Sequence, residues 1–204
     1  MKYLIIGGTG TLGQEVARQL LLKTNTEQIT IFSRCELKQK NMSMLFRSHK
    51  LNFVLGDIRD YEAISRAMRG HQTVFHFAAL KHIDIIEQNP EESIKTNILG
   101  TINVGNAAEL NKIDNLIFSS TDKAVDPINV YGMCKGISEK LLLKRNKWEC
   151  RPRFIVYRWG NVLGSRGSFF HTIHEKVKAG ENIPITDHGM TRYWILIEDA
   201  ARFM

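Results

Sequence analysis

The sequence predicts an α/β protein built on one doubly wound parallel sheet, and three observations carry that prediction. Short apolar, β-branched runs alternate with longer helical patterns along the 204 residues. The runs are apolar almost throughout, as strands are when helices cover both faces of a sheet. A glycine-rich turn stands between the first run and the first helical pattern, where a βαβ unit begins.

Tyr3 to Ile6 is the first expected strand, and Gly7-Gly8-Thr9-Gly10-Thr11-Leu12-Gly13 follows it directly. Leu12 to Lys23 then reads as a helix, and Gln28 to Phe32 as the second strand. Asn52 to Leu55 is the third strand; Gly56-Asp57-Ile58 follows it, and Asp60 is placed to cap a helix over Tyr61 to Arg69. Thr73 to Phe77 is the fourth strand, leading through Ala78 and Ala79 to one long helix over Glu91 to Leu110. Asn115 to Ser119 and Phe154 to Tyr157 are the fifth and sixth strands, separated by a helix over Val130 to Arg145. Phe169 to Ala179 reads as a further helix. With no internal repeat, low-complexity tract or Pro/Gly-rich linker, residues 1–204 are expected to form a single domain with right-handed crossovers.

A hydrophobic fraction of 43% and a charged fraction of 24% are ordinary for a globular chain. No apolar run approaches the roughly 20 residues that cross a bilayer, and no secretory h-region follows Met1, so a cytoplasmic protein is expected. Cys35, Cys134 and Cys150 form no C-x-x-C pair and have no His or Cys partner at ligand spacing. Reduced thiols and no metal site are therefore expected. The net charge of +7 raises the question of nucleic acid. The only dense basic group is Lys144, Arg145, Lys147, Arg151 and Arg153, at a helix end and loop, with no interleaved aromatic stripe, which argues against it. A positive field suits anionic small molecules equally well.

The G-x-x-G-x-x-G spacing from Gly7 through Gly10 to Gly13 permits a tight turn and lets backbone approach a pyrophosphate. With Thr9, Thr11 and Leu12 it presents a helix amino terminus to phosphate, so a dinucleotide site is expected. At the end of the second strand, Ser33 and Arg34 stand where an acidic residue would hold the ribose 2′-hydroxyl of NAD. A hydroxyl and a guanidinium suit a 2′-phosphate, with Lys38 one turn further on, and NADP is favoured over NAD. Asp57 and Ile58 are placed at the adenine, and small Ala78 and Ala79 leave room for the cofactor against the backbone.

Ser120-Thr121-Asp122-Lys123 closes the fifth strand, and Tyr131 and Lys135 share one helix face through Y-x-x-x-K. Tyr131 and Lys135, with Ser120 or Thr121, resemble the proton-handling set of short-chain dehydrogenase/reductases. A nearby ammonium and the positive nicotinamide ring of the oxidised cofactor are expected to favour the phenolate and lower the phenol's pKa, so that Tyr131 takes a hydroxyl proton.

Ala79-Leu80-Lys81-His82, Asn89-Pro90, Lys95-Thr96-Asn97, Ser120-Thr121-Asp122-Lys123-Ala124 and Asn129-Val130-Tyr131-Gly132 resemble the inverting UDP-N-acetylglucosamine 4,6-dehydratases. That family belongs to the extended short-chain dehydrogenase/reductases and to a wider group of polysaccharide-biosynthesis proteins. The resemblance continues through Arg158 to Ser168, Ile183 to Asp187 and Met190 to Trp194. It implies a Rossmann fold, a UDP-sugar substrate and a hydro-lyase reaction. Tyr131 would deprotonate the sugar 4-hydroxyl, Lys123 would remove the C5 proton and later return one on the opposite face, and Asp122 would protonate the departing 6-hydroxyl. Lys135 would orient the cofactor ribose. The resemblance also nominates Lys81 and Asn97 near the cofactor, Lys81 near the substrate, and Asn161, Arg166 and Arg192 for UDP. An epimerase or ketoreductase would use the same cofactor and Tyr131, and an idle cofactor-binding subunit the glycine turn alone.

Members of that family are longer, which makes residues 160–204 a partial substrate-binding portion ending at Met204. Trp194 is expected in a buried core, and apolar surface between Tyr193 and Phe203 is expected to favour a homo-oligomer.

Overall fold

The computed structural model describes residues 1–148, 150–164, 169–183 and 187–204, with backbone alone for 169–172. Its centre is a parallel sheet of β1 (Lys2–Ile6), β2 (Gln28–Ser33), β3 (Leu51–Leu55), β4 (Thr73–His76), β5 (Asn115–Thr121) and β6 (Arg153–Trp159). The strand order is β3-β2-β1-β4-β5-β6. Chain direction across the sheet therefore reverses between β1 and β4, and such a switch point opens a crevice at the carboxyl ends of the two strands.

Strand alternation divides the core into two layers. Leu4 and Ile6 face one side with Ile64, Met68, Val104, Ala107 and Leu142. These last come from α3 (Tyr61–Met68), from α6 (Gly100–Leu110) and from α7 (Val130–Leu143). Tyr3 and Ile5 face the other side with Val16 and Leu20 of α1 (Thr11–Leu21), Met42 of α2 (Glu36–Phe46) and Ala201 of α9 (Ile197–Arg202). Strands that bury both faces must be apolar at successive positions, which is why these segments lack polar alternation.

The six expected strands and the helices from α1, α3, α7 and α8 (Phe169–Ala179) are present, with ends moved by one to a few residues. Asp60 caps α3, its side chain accepting from Ala63 N at 3.0 Å. The single helix expected over Glu91–Leu110 is instead α5 (Pro90–Ser93), a π-helical segment Ile94–Leu99, and α6. The widened turn carries Asn97, whose carbonyl accepts from Thr101 Oγ1 at 2.7 Å and Ser138 Oγ at 2.8 Å. Side-chain hydroxyls there compete for a carbonyl of the regular ladder. Four further elements are α2, the short α4 (Ile83–Glu87), and a parallel pair of β7 (Asn161–Leu163) with β8 (Trp194–Leu196). Helix α9 lies against α1, where Gln19 Nε2 donates to Glu198 O at 2.8 Å. Among the described residues no helix is long and apolar enough to cross a membrane.

Helix α7 starts at Asn129, whose side chain accepts from Gly132 N at 2.8 Å. This bond fixes where the helix leaves the loop and hence where Tyr131 points. Replacing Asn129 with Ala is expected to cost about 1 kcal/mol and to lower the melting temperature by roughly 2–4 °C in a thermal denaturation followed by circular dichroism.

Candidate active site

The switch-point crevice is a cavity of about 1020 Å³ whose walls come from the segments that follow β1, β2, β3, β4, β5 and β6. Gly7, Thr9, Gly10, Thr11, Leu12 and Gly13 form one end. Gly7 has φ 78°, and a Cβ built on it would stand 2.6 Å from Ala78 N. Only glycine lets the turn pass that close to the backbone after β4. Gly10 is the N-cap of α1 and supplies no capping side chain, and no acidic residue occupies the first turn. The amino-terminal N–H groups thus face the cavity where an anion would be held.

Ala78, Ala79 and Lys81 form the wall beside Gly7, with Lys81 exposed. Asn97 does not line the cavity. It is 2% exposed and clamps the wall from behind, with Leu80 N donating to its Oδ1 at 2.8 Å and its Nδ2 donating to Leu80 O at 2.9 Å. The pair of bonds copies a strand ladder, so Asn97 orders the loop rather than touching a ligand there.

At the other end, Ser33, Arg34, Lys38 and Ile58 line the cavity. Ser33 is buried, and its hydroxyl accepts from Gln39 Nε2 at 3.1 Å. Asp57, expected at the adenine, is not among the lining side chains. Its carboxylate takes Arg59 Nη2 at 2.7 Å and Arg59 Nε at 3.0 Å, with Arg34 Nη1 at 3.5 Å. Burial alone would raise the Asp57 pKa, but the Arg59 hydrogen bonds and the charges of Arg34 and Arg59 outweigh it and hold the acid below 3.8. The sequence reading missed Arg59 and Glu92, which both line this end; an arginine two residues after Asp57 was the available signal.

The reactive side chains meet between the two ends. Strand β5 runs to Thr121 and passes into a 3₁₀ turn, Asp122–Ala124. The first turn of α7 packs directly on that 3₁₀ turn, and a Cβ on Gly132 would overlap the Lys123 carbonyl oxygen. This contact brings Thr121, Lys123, Tyr131 and Lys135 to one wall. Of the two hydroxyls open at this position, Thr121 hydrogen-bonds to the phenol, while Ser120 Oγ donates to Glu139. Glu139 is 4% exposed and bound through both oxygens to Arg158, with Arg158 Nη2 to Glu139 Oε2 at 2.6 Å. That network ties α7 to β5 and β6.

Lys135 is 3% exposed; its Nζ donates to Ser119 O at 2.7 Å and lies 4.2 Å from the Phe118 ring centroid. Burial drives its pKa down from 10.5 to about 7, against the charges of Glu139 and Cys134. In the protein alone the Lys135 ammonium does not acidify Tyr131 as expected. Burial first and the Asp122 charge second push the phenol up from 10.0 to about 12, and the Thr121 hydrogen bond opposes them only in part. The ammonium expected to acidify it is turned into the sheet towards Ser119.

Asp122 and Lys123 form an ion pair, Nζ to Oδ1 at 3.1 Å, with about a third of each side chain exposed. Asp122 Oδ1 also accepts from Thr121 Oγ1 at 3.0 Å. Sequence neighbours make this pair because the 3₁₀ turn swings both side chains to one side. Asn161 lines the cavity beside Gly160. Arg192 does not; it is exposed, with Nη1 donating to Thr191 O at 2.6 Å. Arg166 lies outside the described residues. Trp194 is not core but 41% exposed on β8, since a two-stranded pair leaves one of its faces uncovered. Trp159, which the sequence reading passed over, is the buried tryptophan, 8% exposed and stacked on Tyr157 at 5.4 Å.

Solved structures of nucleotide-sugar dehydratases and epimerases superpose on nearly the whole chain and share its doubly wound α/β fold. DesIV, a dTDP-glucose 4,6-dehydratase from Streptomyces venezuelae, matches with TM-score 0.88 over 99% of this chain and 70% of its own, at 22% identity, which speaks to the fold alone. Pen from Bacillus thuringiensis matches with TM-score 0.92 and 36% identity over 98% of this chain and 62% of its own. The polysaccharide biosynthesis protein family matches residues 3–204, and the chain belongs to that family. A curated relative from Campylobacter jejuni, a UDP-N-acetylglucosamine 4,6-dehydratase (inverting), is 44% identical over 98% of this chain. A UDP-glucose 4-epimerase from Rickettsia bellii is 41% identical over 97%. The chain spans 61% and 59% of the length of these two relatives.

The buried lysine gives a stability prediction. Between about pH 7 and 10.5 the unfolded chain holds a proton on residue 135 that the folded chain has lost, so wild-type stability rises with pH through that window. Lys135→Met removes the burial cost and is expected to be more stable than wild type near pH 7 by roughly 1–2 kcal/mol in urea titrations. The gap should narrow as pH approaches 10; parallel pH profiles would contradict the assignment.

Proposed function

We propose that the chain carries the cofactor site and catalytic set of an NADP-dependent nucleotide-sugar 4,6-dehydratase that acts on UDP-N-acetylglucosamine with inversion at C5. The observation that carries this reading is that Thr121, Lys123 and Tyr131 line the cavity together, where Gly132 lets α7 pack on the Lys123 carbonyl. Asp122, itself not among the lining residues, is held on Lys123 at 3.1 Å. An oxidoreductase that stopped at a ketone would need a hydroxyl, Tyr131 and Lys135. An adjacent carboxylate and amine add the acid and the base that eliminating water requires. The 44% identity to the Campylobacter dehydratase supports the same reading.

The residues fit a nicotinamide dinucleotide. The Gly7 turn against Ala78 leaves bare backbone at the uncapped start of α1, suited to a pyrophosphate. Arg34 and Lys38 offer cations at the far end, suited to a 2′-phosphate. When bound, the cofactor supplies a reversible hydride acceptor, so the net reaction is loss of water.

Tyr131 takes the proton of the sugar 4-hydroxyl as that carbon becomes a ketone, with Thr121 holding the oxygen in line. A phenol near pKa 12 is a poor base, so the step needs positive charge beside it or loss of the Asp122 charge. Protonated Asp122 meets the second condition and is also the form that donates to the departing 6-hydroxyl. Transfer of the proton between them, from Lys123 Nζ to Asp122 Oδ1, leaves Lys123 a neutral amine that removes the C5 proton acidified by the ketone and later delivers one to the opposite face. Asn161 and Lys81 line the substrate side. Exposed Tyr193, Leu196 and Phe203 support association of copies through this end.

The 41% identity to an epimerase gives a second reading in which Tyr131 acts and Asp122 and Lys123 do not. Incubation with UDP-N-acetylglucosamine in deuterated water separates them by mass spectrometry. Dehydration gives a product lighter by one water with deuterium at C5; epimerisation keeps the mass, and an idle subunit leaves the sugar unchanged. Lys123→Ala is expected to abolish C5 labelling while leaving NADP titration by fluorescence unaltered.

A further inference from the structure

Four charged side chains close the far end of the cavity as a chain of ion pairs. Arg34 Nη1 reaches Asp57 Oδ2 at 3.5 Å, Arg59 Nη2 reaches the same oxygen at 2.7 Å, and Arg59 Nη1 reaches Glu92 Oε2 at 3.2 Å. Lys95 holds Glu92 in turn at 2.8 Å. Arg34, Arg59 and Glu92 line the cavity, and Asp57 sits behind them.

The two arginines use the shared carboxylate unequally. Arg59 approaches Asp57 with a fork, Nη2 at 2.7 Å and Nε at 3.0 Å on Oδ2, while its backbone N donates to Oδ1 at 2.9 Å. Both carboxylate oxygens are therefore engaged by one residue, Oδ2 by two charge-assisted guanidinium bonds and Oδ1 by its backbone N–H. Arg34 is left with one contact at the outer limit of a hydrogen bond, and its side chain is 51% exposed. A guanidinium carries five donors, so nearly all of Arg34's donors stay open towards the cavity.

An acid at this end of such a site would favour a free ribose hydroxyl and repel a phosphate dianion. Asp57, which follows the neighbouring strand β3, brings an acid within reach of Arg34, and Arg59 holds it.

We propose that Arg59 sets the preference for a 2′-phosphorylated cofactor by occupying the Asp57 carboxylate, which leaves the Arg34 guanidinium free for the phosphate. The proposal deepens the NADP reading above and rests on it. Arg59 is a positioning residue: its effect passes through Asp57, and removing Asp57 makes Arg59 dispensable. Glu92 and Lys95 fix the Arg59 fork from the other side.

The test is the ratio of NAD to NADP dissociation constants, read by fluorescence titration of the full chain without any substrate. Wild type is expected to bind NADP more tightly. In Arg59→Met, Asp57 closes on Arg34, and the ratio should fall about five- to tenfold through loss of NADP affinity, an effect that weakens with salt. In Asp57→Asn/Arg59→Met the ratio should return to within about threefold of wild type. Shared changes in adenine binding cancel in the ratio, and loss of folding would weaken both cofactors together. If the double variant stays as poor for NADP as the single one, Arg59 touches the phosphate itself and the proposal is overturned. An unchanged ratio in Arg59→Met also overturns it. A wild-type chain that prefers NAD removes the cofactor reading and the proposal with it, and this arm is read before any variant.

Discussion

The contact on which the site depends is that between the first turn of α7 and the 3₁₀ turn after β5. A helix cannot normally lie with its Cα against a carbonyl, and Gly132 is the position that allows it here. Asn129 caps the helix one residue before it begins, so the entry point and the approach are fixed together. Once α7 is seated there, Tyr131 and Lys135 face the cavity one helical turn apart, and Thr121 and Lys123 arrive from the strand side. Glu139, one turn beyond Lys135, anchors the same helix to Ser120 and Arg158. The meeting of these four side chains is thus a by-product of one close helix–strand junction.

That junction also sets the electrostatics. Packing α7 so tightly buries Lys135 against Phe118 and draws Tyr131 out of water near Asp122. Both groups are driven towards their neutral forms, the amine downwards and the phenol upwards. A buried neutral pair is less costly than a buried charged one, and it keeps the phenol protonated in the free protein. The arrangement stores a base that positive charge, or the loss of the Asp122 charge, would release. The ion pairs at the far end follow similar logic at a more exposed place, where Arg59 neutralises the Asp57 carboxylate.

Much of the sheet was legible because strands covered on both faces must be continuously apolar, as Leu4 to Ile6 and Leu116 to Phe118 are. The glycine turn and Y-x-x-x-K were legible because backbone approach and one-face spacing are local properties. What stayed hidden depended on long-range partners. The π-helical turn at Ile94–Leu99 exists because hydroxyls from Thr101 and Ser138 claim the Asn97 carbonyl, and Ser138 is 41 residues away. The exposure of Trp194, expected in the core, has the same origin, since burial on β8 depends on what packs above the strand rather than on the residue. The Tyr131 pKa was misjudged in direction because sequence shows that a lysine is near, not that its Nζ turns to Ser119.

The central claim is that burial and Asp122 hold the Tyr131 proton until positive charge reaches the site. The ultraviolet tyrosinate difference signal of wild type against Tyr131→Phe measures it directly, with and without oxidised NADP. In the free protein the Tyr131 component should stay less than half ionised up to about pH 11, and bound cofactor should move its midpoint down by about one unit or more. Ionisation of Tyr131 below pH 10.0 in the free protein, its ordinary value, or a midpoint that bound cofactor leaves in place, would contradict the account.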